Sequence, residues 1–395
     1  MANKMHVIIP SAESSVALAV ARSLGKKGIK STLISRKNHA IAFYSKYCTN
    51  KVVCNHDINF FHKLSQNNIV MPLDEKLIAI LAQKKTDLKC QLPFSDFSVL
   101  SKVMNKASLM EHAIENKVSC PKTYFVESVD DINRIKNEIE YPVTIKPTRM
   151  SGGNGITFVY ESDKLRDAYD SVLRRYGPSI IQEKIPFFEK YTVGCILNRD
   201  SKVRRVCVLK EARNYPIETG PACCIETVHQ PDVLKISIKL LESLDYYGIA
   251  DVDVIIDERD GKPKIVEINP RFWASMQAAL TAGVDFPYLL YRMVNEGDLD
   301  FSLDYKVGIR CRNIIFNDMR HLISVLRGDH NRAYKLEVLL EFIKFHQDDA
   351  YYIFCLEDIK PFLAFVPQKI YRSIITKAIV NNDILNEESG EYYLS

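Results

Sequence analysis

The 395-residue sequence lacks the features that mark several common classes of protein. Its ten cysteines include no Cys-x-x-Cys pair, which disfavours zinc ligation, and their scatter through apolar runs is typical of free thiols in a reducing compartment. No apolar run approaches the length of a membrane span, and Met1–Pro10 is a strand-like segment without the features of a signal peptide. The 53 basic and 49 acidic residues form no dense Lys/Arg stripe. These absences predict a cytoplasmic protein with no nucleic-acid partner and no stable membrane insertion.

Glycine is missing where a dinucleotide-binding protein would need it. The pattern predicts a strand over His6–Pro10, a helix over Ser14–Gly25 and a second strand over Lys30–Ser35. The turn after the first strand, Ser11–Ser15, contains no glycine to allow a pyrophosphate close to the backbone, so a nicotinamide or flavin enzyme is disfavoured. Further strand and helix units follow, of which the strand Ile69–Pro72 and the helix Glu75–Gln83 are the clearest. Residues 1–100 are therefore predicted to form a small doubly wound, Rossmann-like α/β domain.

The length of the chain favours more than one domain, and its 47% hydrophobic content is typical of a folded protein. A helix is predicted over Lys102–Asn116, followed by a second α/β unit that extends to about residue 305. Residues 306–395 are predicted to be mostly helical, with Asn317–Arg327 and Lys335–His346 as the most strongly periodic segments.

A hairpin rich in carboxylates is the most informative stretch. Two alternating runs flank an Asp260-Gly261 turn, and a hairpin centred there places Asp253 opposite Glu267 and Asp251 opposite Asn269. Like charges that face each other across strands destabilise a sheet by roughly 0.2–1 kcal/mol when exposed, and by more when desolvated. A magnesium ion would offset that cost, because it prefers oxygen ligands and phosphate oxygens could complete its shell. A solvated hairpin face without an ion is the alternative.

Two lysines and a glycine-rich loop precede the hairpin. Lys146 ends the apolar run Tyr-Pro-Val-Thr-Ile, which would carry its ammonium into the interior, where lysines are rare unless paired with an anion. The loop 151–155 follows, and its glycines permit the backbone approach that phosphate binding needs, although a plain turn has the same composition. It does not have the Walker spacing. Lys106, at the start of a predicted helix, would by itself be a surface lysine.

Taken in order, these motifs resemble the ATP-grasp superfamily. The resemblance spans about residues 1–300 and is closest to the carboxylate–amine ligase group that includes D-aspartate ligases. The fourteen-residue step from Asp253 to Glu267 is similar to the separation of the two magnesium ligands in carbamoyl-phosphate synthetase. Segments that resemble the ligase group include the helix that ends at Gly25, Arg271–Gln277 and Glu357–Phe362. The fold that this implies is α/β with an α+β ATP-grasp part: a two-part ATP-grasp domain over residues 101–305, with a lid at about 120–183.

The resemblance also implies a set of nucleotide-binding residues. Lys106 and Lys146 would hold the ATP phosphates, and the loop glycines would close over them. Glu183 and the backbone of Ile185 would meet the adenine. Ribose binding is expected from a carboxylate about six residues after Glu183, although the local sequence departs from the usual glycine-containing turn. The residues implied in addition to the lysines are Gly152, Gly153, Gly155, Gln182, Glu183, Ile185 and Glu189.

The remaining implied roles concern the metal and the reaction. Asp253, Glu267 and Asn269 would bind one or two Mg²⁺, and Mn²⁺ stays open as an alternative. Arg271 would face the transferred phosphoryl group or a substrate carboxylate, which suits a bidentate guanidinium. Lys210 and Arg213 would stabilise phosphoryl oxygens or contact the acid substrate, and a solvated basic pair is the alternative.

The implied reaction joins a small-molecule carboxylate to an amine through an acyl phosphate. A phosphotransferase on the same scaffold, or a nucleotide sensor without turnover, are the alternatives, and no biotin-accepting motif indicates a carboxylase. The segments Phe362–Val366 and Lys369–Lys377 are predicted to pack on their own domain, with a membrane or a partner as the alternative. The sequence leaves open whether the chain forms a homodimer. Substrate identity is expected to depend on loops such as Asn214–Glu226 and on the first domain.

Overall fold

The structure is a computed structural model that describes residues 4–150, 154–217, 220–346 and 348–367. Its architecture is the predicted α/β fold with three sheets, and a helical region follows them. Gly152, Gly153 and the segment Lys369–Lys377 lie outside the described residues.

The first sheet is parallel, in the order β3-β2-β1-β4. Helices cover both of its faces. Alternate residues of one strand point to opposite sides, so they join different hydrophobic cores. Val7 and Ile9 join one core together with Leu18 of the first helix, and Ile8 joins the other core together with Leu77 of the third. The elements are β1 (His6–Ile9), α1 (Ser15–Lys26), β2 (Ser31–Ser35), β3 (Asn50–Val53), α2 (Ile58–His62), β4 (Asn68–Val70) and α3 (Glu75–Gln83).

The helix predicted over Lys102–Asn116 is divided in the structure. α4 (Phe97–Val103) ends before Met104, and α5 (Lys106–Glu115) begins after Asn105. The Asn105 side chain accepts hydrogen bonds from the backbone N–H groups of Ala107 and Ser108, so it caps a new helix and does not extend the previous one. Lys106 is consequently the first residue of α5, a position at which its side chain can reach the site described below.

The second sheet has four antiparallel strands, in the order β5-β8-β6-β7, and two helices lie against it. It has a small core of its own, which includes Ile132, Val143, Leu165 and Ile181. We call this unit the lid sheet. Its elements are β5 (Thr123–Phe125), α6 (Val129–Ile135), β6 (Val143–Pro147), β7 (Thr157–Val159), α7 (Ser162–Tyr176) and β8 (Ser179–Glu183).

The third sheet is the largest, in the order β13-β12-β9-β10-β11-β14-β15. Helix α8 covers one of its faces, through Val233, Leu240 and Leu241, and α9 and α10 lie towards the first domain. The elements are β9 (Phe187–Leu197), β10 (Val203–Asn214), β11 (Ala222–Thr227), α8 (Pro231–Ser243), β12 (Gly248–Asp257), β13 (Pro263–Asn269), α9 (Met276–Thr281) and α10 (Phe286–Asn295).

The last region is helical, as predicted, but it also contributes two short strands to the third sheet. These are β14 (Arg310–Arg312) and β15 (Ala350–Tyr351), which lie on either side of α11 (Met319–Arg327) and α12 (Arg332–Ile343). Strands of three and two residues are too short to show a period in the sequence. No helix in the described parts of the chain is long and apolar enough to cross a membrane.

Candidate active site

The hairpin formed by β12 and β13 has the predicted register. Asp253 pairs with Glu267 and Asp251 pairs with Asn269, so this prediction is confirmed. A bulge between Asp253 and Val254 shifts the register only beyond these pairs. Three carboxylates and an amide therefore lie at neighbouring positions, and Asp251 is almost fully buried.

Burial makes this cluster of carboxylates unfavourable when lysine side chains supply its only counter-charge. Burial, together with the nearby Asp253, raises the pKa of Asp251 well above its ordinary value. Burial also raises the pKa of Asp253 to about 6, although Lys190 opposes the shift. For Glu267, burial acts in the same direction but Lys106, Lys146 and Lys190 outweigh it, so its pKa lies below the ordinary value. The ammonium groups of these three lysines, which come from α5, β6 and β9, thus keep Glu267 ionised.

Lys106 connects the hairpin to the lid sheet. Its Nζ lies 3.0 Å from Glu267 Oε2 and donates to the carbonyl of Met150 at 2.7 Å, immediately before the glycine loop. Its backbone N–H donates to the carbonyl of Thr148. The predicted phosphate lysine therefore lies between the metal-binding candidates and the predicted phosphate loop.

Lys146 reaches the same place from β6 of the lid sheet. Burial lowers its pKa to about 8, with Glu267 acting against the shift and Lys106 adding to it. Helix α5, strand β6 of the lid sheet and strand β13 of the third sheet therefore bring Lys106, Lys146 and Glu267 together. Gly155, at the end of the loop, has φ +76°, and a Cβ there would lie 2.8 Å from Pro147 Cγ, so both the conformation and the packing favour glycine.

Glu183 lies at the connection between the lid sheet and the third sheet. Its carboxylate accepts hydrogen bonds from the Lys122 backbone N–H at 2.8 Å, from Arg259 at 2.6 Å and from Lys264 at 3.2 Å. Gln182 donates to Thr123 Oγ1 at 2.9 Å, and Ile185 is buried. These polar side chains hold the connection in place, so an adenine at this segment would have to contact mainly the backbone.

Arg271 extends the site towards the first domain. Its Nε lies 3.0 Å from Glu75 Oε1 at the start of α3, and one Nη donates to Asn269 Oδ1 at 3.2 Å. Asn269 in turn donates to Asp251 at 3.3 Å. Trp273 covers the sheet beside them, and a Cβ on Gly194, the partner of Asp251 on β9, would lie 2.2 Å from its ring.

Two predicted residues lie on the other face of the third sheet. Lys210 pairs with Tyr191 on β9 and contacts Glu189, which also accepts a hydrogen bond from Tyr191 at 2.5 Å. Thr192, the next residue of β9, donates to Asp253 at 3.1 Å. Because successive side chains of a strand point to opposite faces, Lys210 and Glu189 point away from the metal-binding candidates. The geometry does not support the ribose and phosphoryl roles predicted for them.

Arg213 is held in a buried ion pair. It donates to Asp318 at 2.7 and 3.1 Å, and Asp318 also accepts from Arg312 at 2.8 Å. This arrangement fixes the C-terminal region against β10. The geometry thus gives Arg213 a structural partner, and its predicted contact with a substrate stays a prediction.

Lys190 is a residue beside the hairpin carboxylates for which the sequence indicated no role. It lies on β9 beside Thr192, with its Nζ 3.0 Å from Glu211 and 3.9 Å from Asp253. Burial acts to lower its pKa, but Asp253 and Glu211 outweigh it and raise the pKa above the ordinary value. Its neighbour Glu189 was predicted in its place, and only the alternation along β9 distinguishes the two.

A magnesium ion fits the donor atoms of this site. Among the described residues, no group of three or more His, Cys, Asp or Glu side chains is arranged to hold a metal. Asp253, Glu267 and Asn269 offer two carboxylates and an amide oxygen, which are hard ligands, and phosphate or water would have to complete the shell. One oxygen of Asp251 is buried without a hydrogen-bond partner in the described structure. A divalent ion would offset the burial, and the repulsion from Glu267, that raise the pKa of Asp253.

Comparison with known proteins agrees with this geometry. Residues 103–275 match the profile of the ATP-grasp domain. The chain contains an ATP-grasp domain. It is 25% identical over 230 residues to a D-aspartate ligase of Enterococcus faecium (strain Aus0004), a match that covers 52% of this chain and 54% of that protein. It is 25% identical over 189 residues to a D-alanine–D-alanine ligase of Dechloromonas aromatica (strain RCB), with 45% and 62% covered.

The fold of the ATP-grasp domain and its neighbours is also found in solved structures. An ADP complex of N5-carboxyaminoimidazole ribonucleotide synthetase superposes with a TM-score of 0.66 at 14% identity, covering 87% of this chain and 97% of that one. At this identity the likeness shows the fold alone. The chain spans little more than half the length of the curated relatives that it matches.

Replacing Asp253 with asparagine is expected to stabilise the metal-free protein at neutral pH. The folded pKa of about 6 lies above the ordinary 3.8, so the folded state disfavours the ionised carboxylate; the cost is complete above pH 6 and disappears below 3.8. We expect a gain of about 1–3 kcal/mol at pH 7.5, measured by urea unfolding without metal, and a gain that shrinks as the pH falls to 4. A variant less stable than the wild type at pH 7.5 would contradict this electrostatic account.

Proposed function

We propose that this protein is an ATP- and magnesium-dependent carboxylate–amine ligase. The observation that carries the proposal is the convergence of Lys106 and Lys146 on Glu267, opposite Asp253, within an ATP-grasp domain. Such a site combines anion-binding lysines with hard oxygen ligands, which is what the transfer of a phosphoryl group requires. The D-aspartate and D-alanine–D-alanine ligases among the relatives support an amine as the second substrate.

In the proposed mechanism the chain's own residues bind, orient and neutralise charge. Lys106 and Lys146 would contact the phosphates of ATP, and Asp253, Glu267 and Asn269 would hold Mg²⁺. The metal would neutralise charge that develops on the transferred group. Arg271 lies at the end of this cluster nearest the first domain, where it would orient the acid substrate. The loop after Met150 would cover the phosphates.

The reaction then has two steps. A carboxylate oxygen of the acid attacks the γ-phosphorus, the bond to the β-phosphate oxygen breaks, and ADP leaves. The amine nitrogen attacks the acyl carbon of the resulting acyl phosphate, inorganic phosphate leaves, and the nitrogen loses a proton. Positioning and charge neutralisation account for the first step.

The proposal is tested by ADP release from MgATP over a panel of carboxylic acids, with and without amino-acid amines, together with product masses. ADP formation that requires both substrates, and a product lighter than their sum by one water, is the expected result. A stable phosphorylated product would instead indicate a phosphotransferase. Tight binding of MgATP with no ADP formed over the whole panel would favour a nucleotide sensor.

A further inference from the structure

Asp251 is a buried carboxyl group to which the proposed mechanism gives no role. It is 5% exposed, it lies on β12 close to Asp253, and it pairs with Asn269 of β13. Its Oδ2 accepts a hydrogen bond from Asn269 Nδ2 at 3.3 Å, and its Oδ1 has no hydrogen-bond partner in the described structure. Burying a carboxyl group with so few partners is unfavourable, so packing alone does not explain why it is there.

The contacts of Asn269 indicate what Asp251 does for its neighbour. A side-chain amide has two ends of similar shape, and only the oxygen can bind a metal ion, because the nitrogen carries two N–H donors. Asn269 Nδ2 donates to Asp251, and Asn269 Oδ1 accepts from Arg271 at 3.2 Å. Asp251 Oδ2 can accept this bond with or without a proton on Oδ1. A reversed amide would turn its N–H groups towards a guanidinium, which has only donors.

Asp251 is the more permanent of these two contacts. Arg271 is partly exposed and also contacts Glu75 of α3, and in the proposed mechanism its guanidinium orients the acid substrate. Asp251 instead lies directly opposite Asn269 within one hairpin, and its strand is paired on both sides, with β13 and with β9. Asp251 can therefore hold the amide when Arg271 engages a substrate.

We infer that Asp251 is a positioning residue, whose buried carboxyl group holds Asn269 Nδ2 so that Asn269 Oδ1 is available to Mg²⁺. The inference rests on the proposed nucleotide and magnesium site and adds to it a residue that binds neither the metal nor a substrate. Removing a group that orients a metal ligand typically lowers metal affinity or activity by about 10- to 100-fold. Asp251 should therefore act on the metal-dependent part of nucleotide binding.

The test compares the affinity for β,γ-methylene-ATP, measured by calorimetry, in saturating Mg²⁺ and in EDTA. The ratio of the two affinities gives the contribution of the metal. Asp251→Leu keeps the approximate shape of the side chain without its acceptors; we expect it to lower this ratio about tenfold and to change the affinity in EDTA by less than about twofold. Asp251→Asn restores an acceptor oxygen and is expected to recover most of the ratio.

Two further variants separate the orientation of the amide from repacking. Asn269→Asp has two equivalent oxygens and needs no orientation, so the addition of Asp251→Leu to it is expected to lower the ratio no further. Cys195→Val is the matched control for packing, because Cys195 is buried on β9 beside Gly194, the partner of Asp251, and points to the opposite face. Its ratio is expected to stay within about twofold of the wild type.

The outcomes distinguish this inference from the proposed function. A folded Asp251→Leu with an unchanged ratio, with binding weakened equally in Mg²⁺ and EDTA, or with the same loss in the Asn269→Asp background would overturn the inference and leave the ligase proposal intact.

A crystal structure of the wild type with Mn²⁺ and the analogue needs no variant. Asn269 Oδ1 on the metal and Nδ2 on Asp251 is the expected result, and Asp251 on the metal or out of contact with Asn269 would overturn the inference. Wild-type binding that does not depend on Mg²⁺ would overturn both the inference and the metal assignment. Failure to bind the analogue at all would contradict the proposed nucleotide site itself.

Discussion

Glu267→Gln is expected to lower kcat/KM for the MgATP-dependent reaction by about three orders of magnitude, equivalent to about 4 kcal/mol of transition-state stabilisation. Glutamine keeps the shape of the side chain and can still accept a hydrogen bond from Lys106, but it removes the negative charge on which Lys106 and Lys146 converge. The metal loses a carboxylate ligand, and the lysines lose the anion that keeps them in place. Initial rates over a range of Mg²⁺ concentrations measure the effect.

The control for this variant is Glu258→Gln. Glu258 belongs to the same hairpin but lies in the exposed turn between β12 and β13, so its activity should stay within about twofold of the wild type. Circular dichroism and the unfolding midpoint establish that both variants are folded. Near wild-type activity in a folded Glu267→Gln protein would remove the metal-binding role of the hairpin.

The largest loss of stability is expected from Arg22→Met. Arg22 lies on α1 and joins the first domain to the C-terminal region: its Nε donates to Asp358 Oδ2 at 2.9 Å, and its Nη atoms donate to the carbonyls of Ile353 and Asp358, each at 2.8 Å. The two side chains are 6% and 1% exposed. Asp358 also accepts from Ser45 at 2.7 Å and from the Lys46 N–H at 2.9 Å.

Removal of Arg22 leaves the buried Asp358 carboxylate without its counter-charge, and the loss of one partner of a buried ion pair typically costs about 3–5 kcal/mol. Burial would raise the pKa of Asp358, but the hydrogen bonds from Ser45, Lys46 and Arg22 outweigh it and lower the pKa. The carboxylate is therefore ionised at neutral pH, and the full cost of losing Arg22 is expected there. The stabilising effect of the Arg22–Asp358 ion pair should disappear only as the pH falls below about 3.8 and Asp358 is protonated.

A neighbouring ion pair provides the control. Lys26 and Glu357 lie 2.8 Å apart, next to the buried pair in both segments, with side chains 46% and 63% exposed. Lys26→Met is expected to change the free energy of unfolding by less than about 1 kcal/mol. Urea unfolding of both variants gives the comparison, and an equal loss in the two would show that burial of the Arg22 pair contributes nothing.

The features that the sequence predicted are local in the chain. The register of the hairpin followed from alternation on either side of a two-residue turn, so Asp253 and Glu267 could be paired without knowledge of the other strands. The helix over Glu75–Gln83 was predicted with the bounds that the structure has, because its period and its capping aspartate lie within one segment. Asn105 could have indicated the break before α5, since asparagine is a common N-cap residue.

The features that the sequence did not predict depend on pairing between distant segments. Whether Glu189 or Lys190 faces the hairpin depends on the register of β9 against β12, and a shift of one residue exchanges the two. The contact between Arg22 and Asp358 joins residues 336 positions apart. Glu183 was expected at the adenine, but its partners Arg259 and Lys264 reach it only because the hairpin folds back to the lid sheet.

The most direct test of the central claim follows oxygen from the acid substrate. The acid identified in the ADP-release panel is prepared with ¹⁸O at both carboxylate oxygens, and the inorganic phosphate formed with the amine present is analysed by mass spectrometry. Attack of the carboxylate on the γ-phosphorus predicts one ¹⁸O atom in each phosphate released, together with the amide product. Phosphate free of ¹⁸O would show that no acyl phosphate forms, and would contradict the proposed ligase mechanism.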